Sequence, residues 1–130
     1  MKYVIIIIFA VVAVCCACKA QKQYGKVLPV AEYAAAVSAD TMGVLIDVRT
    51  PKEYAEGHIA GARLLNVLEE NVFENEVKKL SAAPTYYIYC RSGRRSQTAA
   101  AIMERYGLRV VDLQGGFNAW KVAGKEVTVD

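Results

Sequence analysis

Apolar and polar positions divide the chain into short strand-like and helix-like segments that alternate. One uninterrupted apolar run, Val4 to Val14, comes first and stands apart from the rest. Residues 19–25 are polar and short. Lys26-Val27-Leu28 can form a first strand, and Pro29 suits the opening turn of a helix reaching about Val37. Gly43 to Val48 is a continuous apolar strand, the pattern of a strand covered on both faces. Thr50-Pro51-Lys52-Glu53 has the form of a capping box with proline at the first helical position, and it predicts a short helix ending near Gly57. Arg63 to Val67 reads as a third strand. Glu69 to Leu80 reads as a helix with Pro84 beyond its exit, and Tyr86 to Tyr89 as a fourth strand. The pattern then predicts a helix from Gln97 to about Tyr106, a strand from Arg109 to Leu113, a turn at Gln114-Gly115-Gly116 and a last helix from Phe117 to Val122. Strands alternating with helices predict an α/β fold whose mainly parallel sheet carries helices on both faces. Ligands of such sheets sit beyond the C-terminal ends of the strands.

The leading apolar run has a single charge before it, Lys2. It falls short of the roughly 20 residues of a comfortable membrane span and fits the apolar region of a secretory signal. Cys15-Cys16-Ala17-Cys18 then has the form of a bacterial lipoprotein processing site, with Cys18 as the lipidated first residue and Ala17 as the small residue before it. Cys15 stands where an apolar residue is usual. A cut after Ala20 competes and would release a soluble protein. The expected organisation is a signal over 1–18, a tether over 19–25 and one domain over 26–128. The expected location is export, periplasmic or anchored to the membrane on the periplasmic side.

Composition narrows the possibilities. A chain of 130 residues holds one domain with a real core, not two. The formal net charge is +3, and loss of Lys2 with the signal lowers it by one, so no nucleic-acid partner is expected. Three of the four cysteines, Cys15, Cys16 and Cys18, fall in the signal region, which leaves Cys90 alone in the domain. That excludes an intradomain disulfide, a cysteine-based zinc site and a dithiol oxidoreductase with a resolving partner. A lone thiol in an oxidising compartment is a liability unless it works.

Cys90 closes the run Tyr86-Tyr87-Ile88-Tyr89 and opens Cys90-Arg91-Ser92-Gly93-Arg94-Arg95-Ser96. A strand end, a short glycine-containing loop and a helix start together make an anion site with a nucleophile at its base. Successive backbone N–H groups can form a nest, the helix start adds about half a positive charge, and three arginines add full charges. These terms favour thiolate over thiol. Arg95 closes the loop. Arg91 and Arg94 either face an anionic substrate or are solvated side chains. Ser92 and Ser96 can donate hydroxyl hydrogen bonds, and Ser96 can alternatively cap the helix. Asp47 and Arg49 follow the second strand on the same edge, where Asp47 either pairs with an arginine near the loop or only forms a turn. His58 is read as holding a neighbouring loop rather than as a catalytic partner of Cys90. Phe117 and Trp120 are read as core.

Three motifs occur in a fixed order. The first is Asp47-Val48-Arg49 with Glu53-Tyr54, Gly57-His58-Ile59-Ala60-Gly61-Ala62 and Asn66. The second is the loop from Cys90 to Ser96, and the third is Gly115-Gly116-Phe117-Asn118-Ala119-Trp120. In this order the chain resembles a single-domain rhodanese, a sulfurtransferase, over roughly residues 26–125. The resemblance implies a five-stranded rhodanese-like α/β domain, a persulfide on Cys90 and no cofactor. Four residues separate Cys90 from Arg95, a spacing like that of active sulfurtransferases, whereas Cdc25-type phosphatases of related fold have one more. The implied chemistry takes sulfane sulfur from thiosulfate or a similar small anionic donor and passes it to a thiol or cyanide acceptor, with the N–H groups of residues 91–95 stabilising the terminal sulfur. A protein sulfur donor or acceptor is also compatible, as are a persulfide carrier, a phosphatase and a non-catalytic binding module.

Overall fold

In the computed structural model, which describes residues 22–130, five strands and five helices alternate along the chain. They are β1 (Lys26–Leu28), α1 (Val30–Ala39), β2 (Val44–Asp47), α2 (Pro51–Glu56) and β3 (Arg63–Leu64). The second half supplies α3 (Glu70–Lys78), β4 (Thr85–Tyr89), α4 (Arg94–Arg105), β5 (Arg109–Leu113) and α5 (Gly116–Val122). The signal over 1–18, the lipidation candidate Cys18 and the first tether residues lie outside the described residues.

The strands form one sheet in the order β1-β5-β4-β2-β3, and every pairing is parallel. Side chains of successive strand residues point to opposite faces, and β4 at the centre shows the consequence. Tyr86 and Ile88 enter one core with Ile46, Phe73, Val77 and Met103, which α3 and α4 cover. Tyr87 and Tyr89 enter the other with Tyr33, Leu113, Phe117 and Trp120, which α1 and α5 cover. Ile88 is fully buried, and burying a side chain of its size stabilises the fold by about 1.5–3 kcal/mol. Cys90 continues the Tyr86–Ile88 face and points toward α4.

Several boundaries differ from those the sequence pattern predicts. The helix after Cys90 begins at Arg94, not Gln97, so Arg94, Arg95 and Ser96 form its first turn instead of extending the loop. Gly93 makes this possible: with φ +100° it turns the chain from β4 into α4 in a conformation that side chains rarely adopt. Ser96 therefore does not cap the helix. β3 keeps only two ladder residues, because Leu65 and Val67 still donate to the carbonyls of Asp47 and Val48 but at irregular spacing. Pro29 sits just before α1 in extended conformation, and α3 ends at Lys78.

Candidate active site

Cys90 follows directly on the last residue of β4, at the carboxyl edge of the sheet. Its Sγ accepts a hydrogen bond from the Gly93 N–H at 3.0 Å, and its thiol donates to Ser96 Oγ at 3.4 Å. Among the described residues, the N–H groups of Arg91, Ser92, Arg94 and Arg95 have no hydrogen-bond acceptor. Helix starts leave such donors over, and α4 gathers them around the sulfur with the positive end of a 12-residue helix. Cys90 is 1% exposed, so only a slim reactant can reach the sulfur.

The loop carbonyls are held from the other side. Phe117 N–H donates to Cys90 O at 2.8 Å and Asn118 N–H to Arg91 O at 3.0 Å. That close approach explains Gly116: a Cβ there would stand 2.6 Å from Cys90 O and 2.7 Å from Arg91 O. The Gly115-Gly116-Phe117 motif thus buttresses the loop, a role that sequence reading of Phe117 as core did not bring out. Phe117 and Trp120 are also buried as expected.

The arginines divide into two kinds. Arg95, in the first turn of α4, forms a two-pronged pair with Glu53, Nη1–Oε1 2.6 Å and Nη2–Oε2 2.8 Å. Arg95 holds the Glu53 carboxyl down at about 2, far below its ordinary range. Glu53 is at the same time the capping-box residue of α2: Thr50 Oγ1 accepts its N–H at 3.3 Å while the Glu53 carboxylate accepts from Thr50 N–H at 3.4 Å. The capping motif was legible in sequence; the link to Arg95, 42 positions away, was not. Arg91 and Arg94 are exposed and make no ion pair among the described residues. Arg91 borders a cavity of about 280 Å³ together with Arg49, Glu53, Phe117, Asn118 and Lys121.

Asp47 pairs with Arg49, two residues on, and not with an arginine of the loop. Arg49 Nη2 lies 2.6 Å from Asp47 Oδ2 and 2.7 Å from Gly57 O, with its guanidinium 4.2 Å from the centre of the Phe117 ring. Burial opposes the Arg49 charge, but the hydrogen bonds and field of Asp47 outweigh it and hold the guanidinium above its ordinary range. Asp47 and Arg49 thus brace α2, α5 and the strand edge beneath the site. His58 is likewise structural. Its Nδ1 meets Tyr54 O at 2.8 Å, its ring stacks on Tyr54 at 3.6 Å, and its backbone pairs with Thr128. Ser92 borders, on the opposite flank of the loop, an open groove of about 1040 Å³ with Gly93, Gln97 and Asp112. Cys90 lines neither cavity.

The chain is similar to known proteins in sequence and in fold. The model of the rhodanese-like domain family matches residues 30–123. A sulfurtransferase of Allochromatium vinosum is 42% identical over 84 residues, 63% of this chain and 76% of that protein. YqhL of Bacillus subtilis is 36% identical over 77 residues, 58% of this chain and 59% of its own length, so the match spans well under two thirds of that relative. The crystal structure of a rhodanese-related protein from Thermoplasma volcanium superposes with a TM-score of 0.71 at 26% identity, covering 81% of this chain and 99% of that one. The chain belongs to the rhodanese-like domain family.

Proposed function

We propose that the protein is a sulfurtransferase that moves the outer sulfur of thiosulfate, or of a similar small anion, to a thiol or cyanide acceptor through a persulfide on Cys90. The observation that carries this reading is the Gly93 N–H donating to Cys90 Sγ at 3.0 Å at the head of α4. Thiolate is the attacking species. It bonds to the outer sulfur of thiosulfate, the bond to the sulfonate sulfur breaks, and sulfite leaves with the electron pair. Sulfite is stable as an anion, so no acid is needed. The persulfide anion then gives its outer sulfur to the acceptor, and the Cys90 thiolate is regenerated as leaving group. Splitting the transfer in two lowers each barrier. The N–H groups of Arg91, Ser92, Arg94 and Arg95, unpaired among the described residues, match the negative charge of the terminal sulfur, and one preorganised donor of this kind is worth about 3 kcal/mol. Arg91 and Arg94, which make no ion pair among the described residues, supply the charge that draws the donor's sulfonate to the loop.

The name of the Allochromatium relative supports sulfur transfer in general. Export, with Cys18 lipidated and the domain on the periplasmic side, is part of the same proposal and rests on the Val4–Cys18 sequence alone. Thiocyanate formation from thiosulfate and cyanide tests the activity: the wild type is expected to turn over and Cys90→Ser to be inert. Turnover of a phosphate ester by Cys90 in place of sulfur transfer would replace this reading with a phosphatase. Inertness toward both, with transfer only from a persulfidated protein, would make it a carrier.

A further inference from the structure

The ion pair beneath the site leaves one edge of Arg49 unused. Arg49 Nε donates to both Asp47 oxygens, at 2.9 and 3.0 Å, and Nη2 donates to Asp47 Oδ2 and to Gly57 O. Nη1 makes no hydrogen bond among the described residues. It is not sealed in the interior either, since the enclosed side-chain atom that lacks a partner there is Asp112 Oδ1. The Arg49 side chain is 4% exposed, and the space it lines is the cavity of about 280 Å³ between α2 and α5. A buried guanidinium thus turns an unpaired donor toward that cavity, and such a donor is costly without an acceptor.

Further positive charge stands at the same wall. Lys121 Nζ lies 5.2 Å from the centre of the Phe117 ring, over which Arg49 Cζ lies at 4.2 Å, so α5 gathers both cations on one ring. Arg91, from the loop after β4, is the third cation of the lining. Neither Lys121 nor Arg91 makes an ion pair among the described residues. The acids of the lining are Glu53 and Glu56. Glu53 is taken by Arg95, whereas Glu56, the last residue of α2, is exposed and makes no ion pair there. With the paired groups set aside, Arg91 and Lys121 face Glu56, and the balance is positive.

We propose that this cavity is the carboxylate subsite of the sulfur acceptor: the acceptor is a low-molecular-weight thiol that carries a carboxylate, held by Arg49 Nη1 and Lys121 with Arg91 at the rim. The inference deepens, and rests on, the sulfurtransferase reading by naming the acceptor class. In the transfer the acceptor thiolate bonds to the outer sulfur of the Cys90 persulfide, the S–S bond breaks, and the electron pair leaves on the Cys90 thiolate. The acceptor departs as a persulfide with its carboxylate unchanged. The subsite orients the thiol, and a guanidinium edge suits a planar carboxylate. The donor's sulfonate does not fit the same place. In thiosulfate the sulfonate sulfur is bonded directly to the sulfur that Cys90 attacks, so both sit in the loop. Cys90 does not line the cavity, while Arg91, its neighbour in sequence, does. A ligand spans the two only through a spacer between its sulfur and its charge. The N–H groups of Phe117 and Asn118, which hold the Cys90 and Arg91 carbonyls, fix the cavity wall against the loop.

The test loads the full chain with thiosulfate and removes the excess. It then discharges the Cys90 persulfide with β-mercaptopropionate or with its neutral amide. The ratio of the two second-order rates is the readout, and comparing ratios between proteins cancels the difference in thiol reactivity between the probes. Lys121→Ala is expected to lower the ratio about three- to fivefold, and Glu56→Gln to raise it by about the same factor. Both positions are exposed, so both variants are expected to fold. A ratio that neither variant moves, or that both move in one direction, would overturn the subsite. Slower loading from thiosulfate in Lys121→Ala with an unmoved ratio would also overturn it and give the cavity to the donor. A binding measurement needs no sulfur transfer. β-Methylthiopropionate, which has no thiol, is expected to shift the amide resonances of Gly57 and Asn118 in the wild type, and its amide to leave them in place. Resonances that the carboxylate leaves in place would overturn the subsite. Carboxylate binding in a wild type that forms no persulfide would sink the sulfurtransferase reading and uphold the subsite. Persulfide formation with no carboxylate binding would sink the subsite alone.

Discussion

Arg95 and Glu53 join the first turn of α4 to the first turn of α2 through two parallel hydrogen bonds of 2.6 and 2.8 Å. The pair closes the loop that carries Cys90, and of the three arginines that follow Cys90 it leaves Arg91 and Arg94 without an ion pair among the described residues.

The pair gives fold stability a definite dependence on acid. The Glu53 carboxyl is at about 2 in the folded protein against an ordinary value of 4.5. A depressed value means that the folded state favours the ionised form, so the contribution is complete above the ordinary value and is lost as pH falls through about 2. Glu53→Gln is expected to cost about 1 kcal/mol at neutral pH, the upper end for pairs that solvent partly screens. Thermal midpoints of wild type and variant should differ by a constant amount from neutral pH to about pH 5 and converge below that. A gap that widens toward acid would contradict the assignment.

Asp47 and Arg49 are a different case, because neither is solvated. Asp47→Asn leaves a guanidinium that is 4% exposed without a carboxylate, facing the Gly57 carbonyl and the rings of Phe117 and Tyr89. Removing one member of a buried pair costs about 3–5 kcal/mol. Urea denaturation is the check, and a loss below about 1 kcal/mol would show that the pair is better hydrated than its burial indicates.

Gly116→Ala probes the buttress. The added methyl would meet Cys90 O at 2.6 Å and the Arg91 carbonyl at 2.7 Å, at a backbone φ of +59°. The conformation alone costs about 1–2 kcal/mol for a residue with a Cβ. The clash falls on the loop, so sulfur transfer should drop by more than stability does. Wild-type kcat in a folded Gly116→Ala protein would mean that the loop does not depend on the approach of α5.

Arg91→Ala and Arg94→Ala should act on donor capture. Both side chains are exposed, so each is worth about 1 kcal/mol or less and its removal should raise the KM for thiosulfate by up to about fivefold with kcat little changed. The effect should shrink as salt is added. A fall in kcat at constant KM would place the arginine on the reacting atoms instead.

Sequence carried the central part of this structure and lost its edges. Strands β2, β4 and β5 were legible because they are apolar on both faces, and the capping box announced α2. The start of α4 was hidden: Gly93 caps it by backbone conformation without a side-chain oxygen, and Arg94-Arg95-Ser96 looks like loop until its turn is seen. β3 was overextended because Leu65 and Val67 are apolar and do bond to the neighbouring chain, yet out of regular register. At the site, Cys90 and its arginines could be found from residue type and order. Glu53 and Asp112 could not, since an acid's partner 15 or 42 positions away leaves no local trace. Asp112 in particular is a single polar residue in the apolar run Val110-Val111-Asp112-Leu113, and nothing in that run points to its partner Gln97.

The central claim is that Cys90 carries sulfur. The most direct test treats the full chain with thiosulfate and weighs the Cys90 peptide by mass spectrometry. The account predicts a gain of about 32 Da, one persulfide sulfur, that cyanide removes as thiocyanate and that Cys90→Ser never acquires. A Cys90 peptide whose mass thiosulfate leaves unchanged would contradict it.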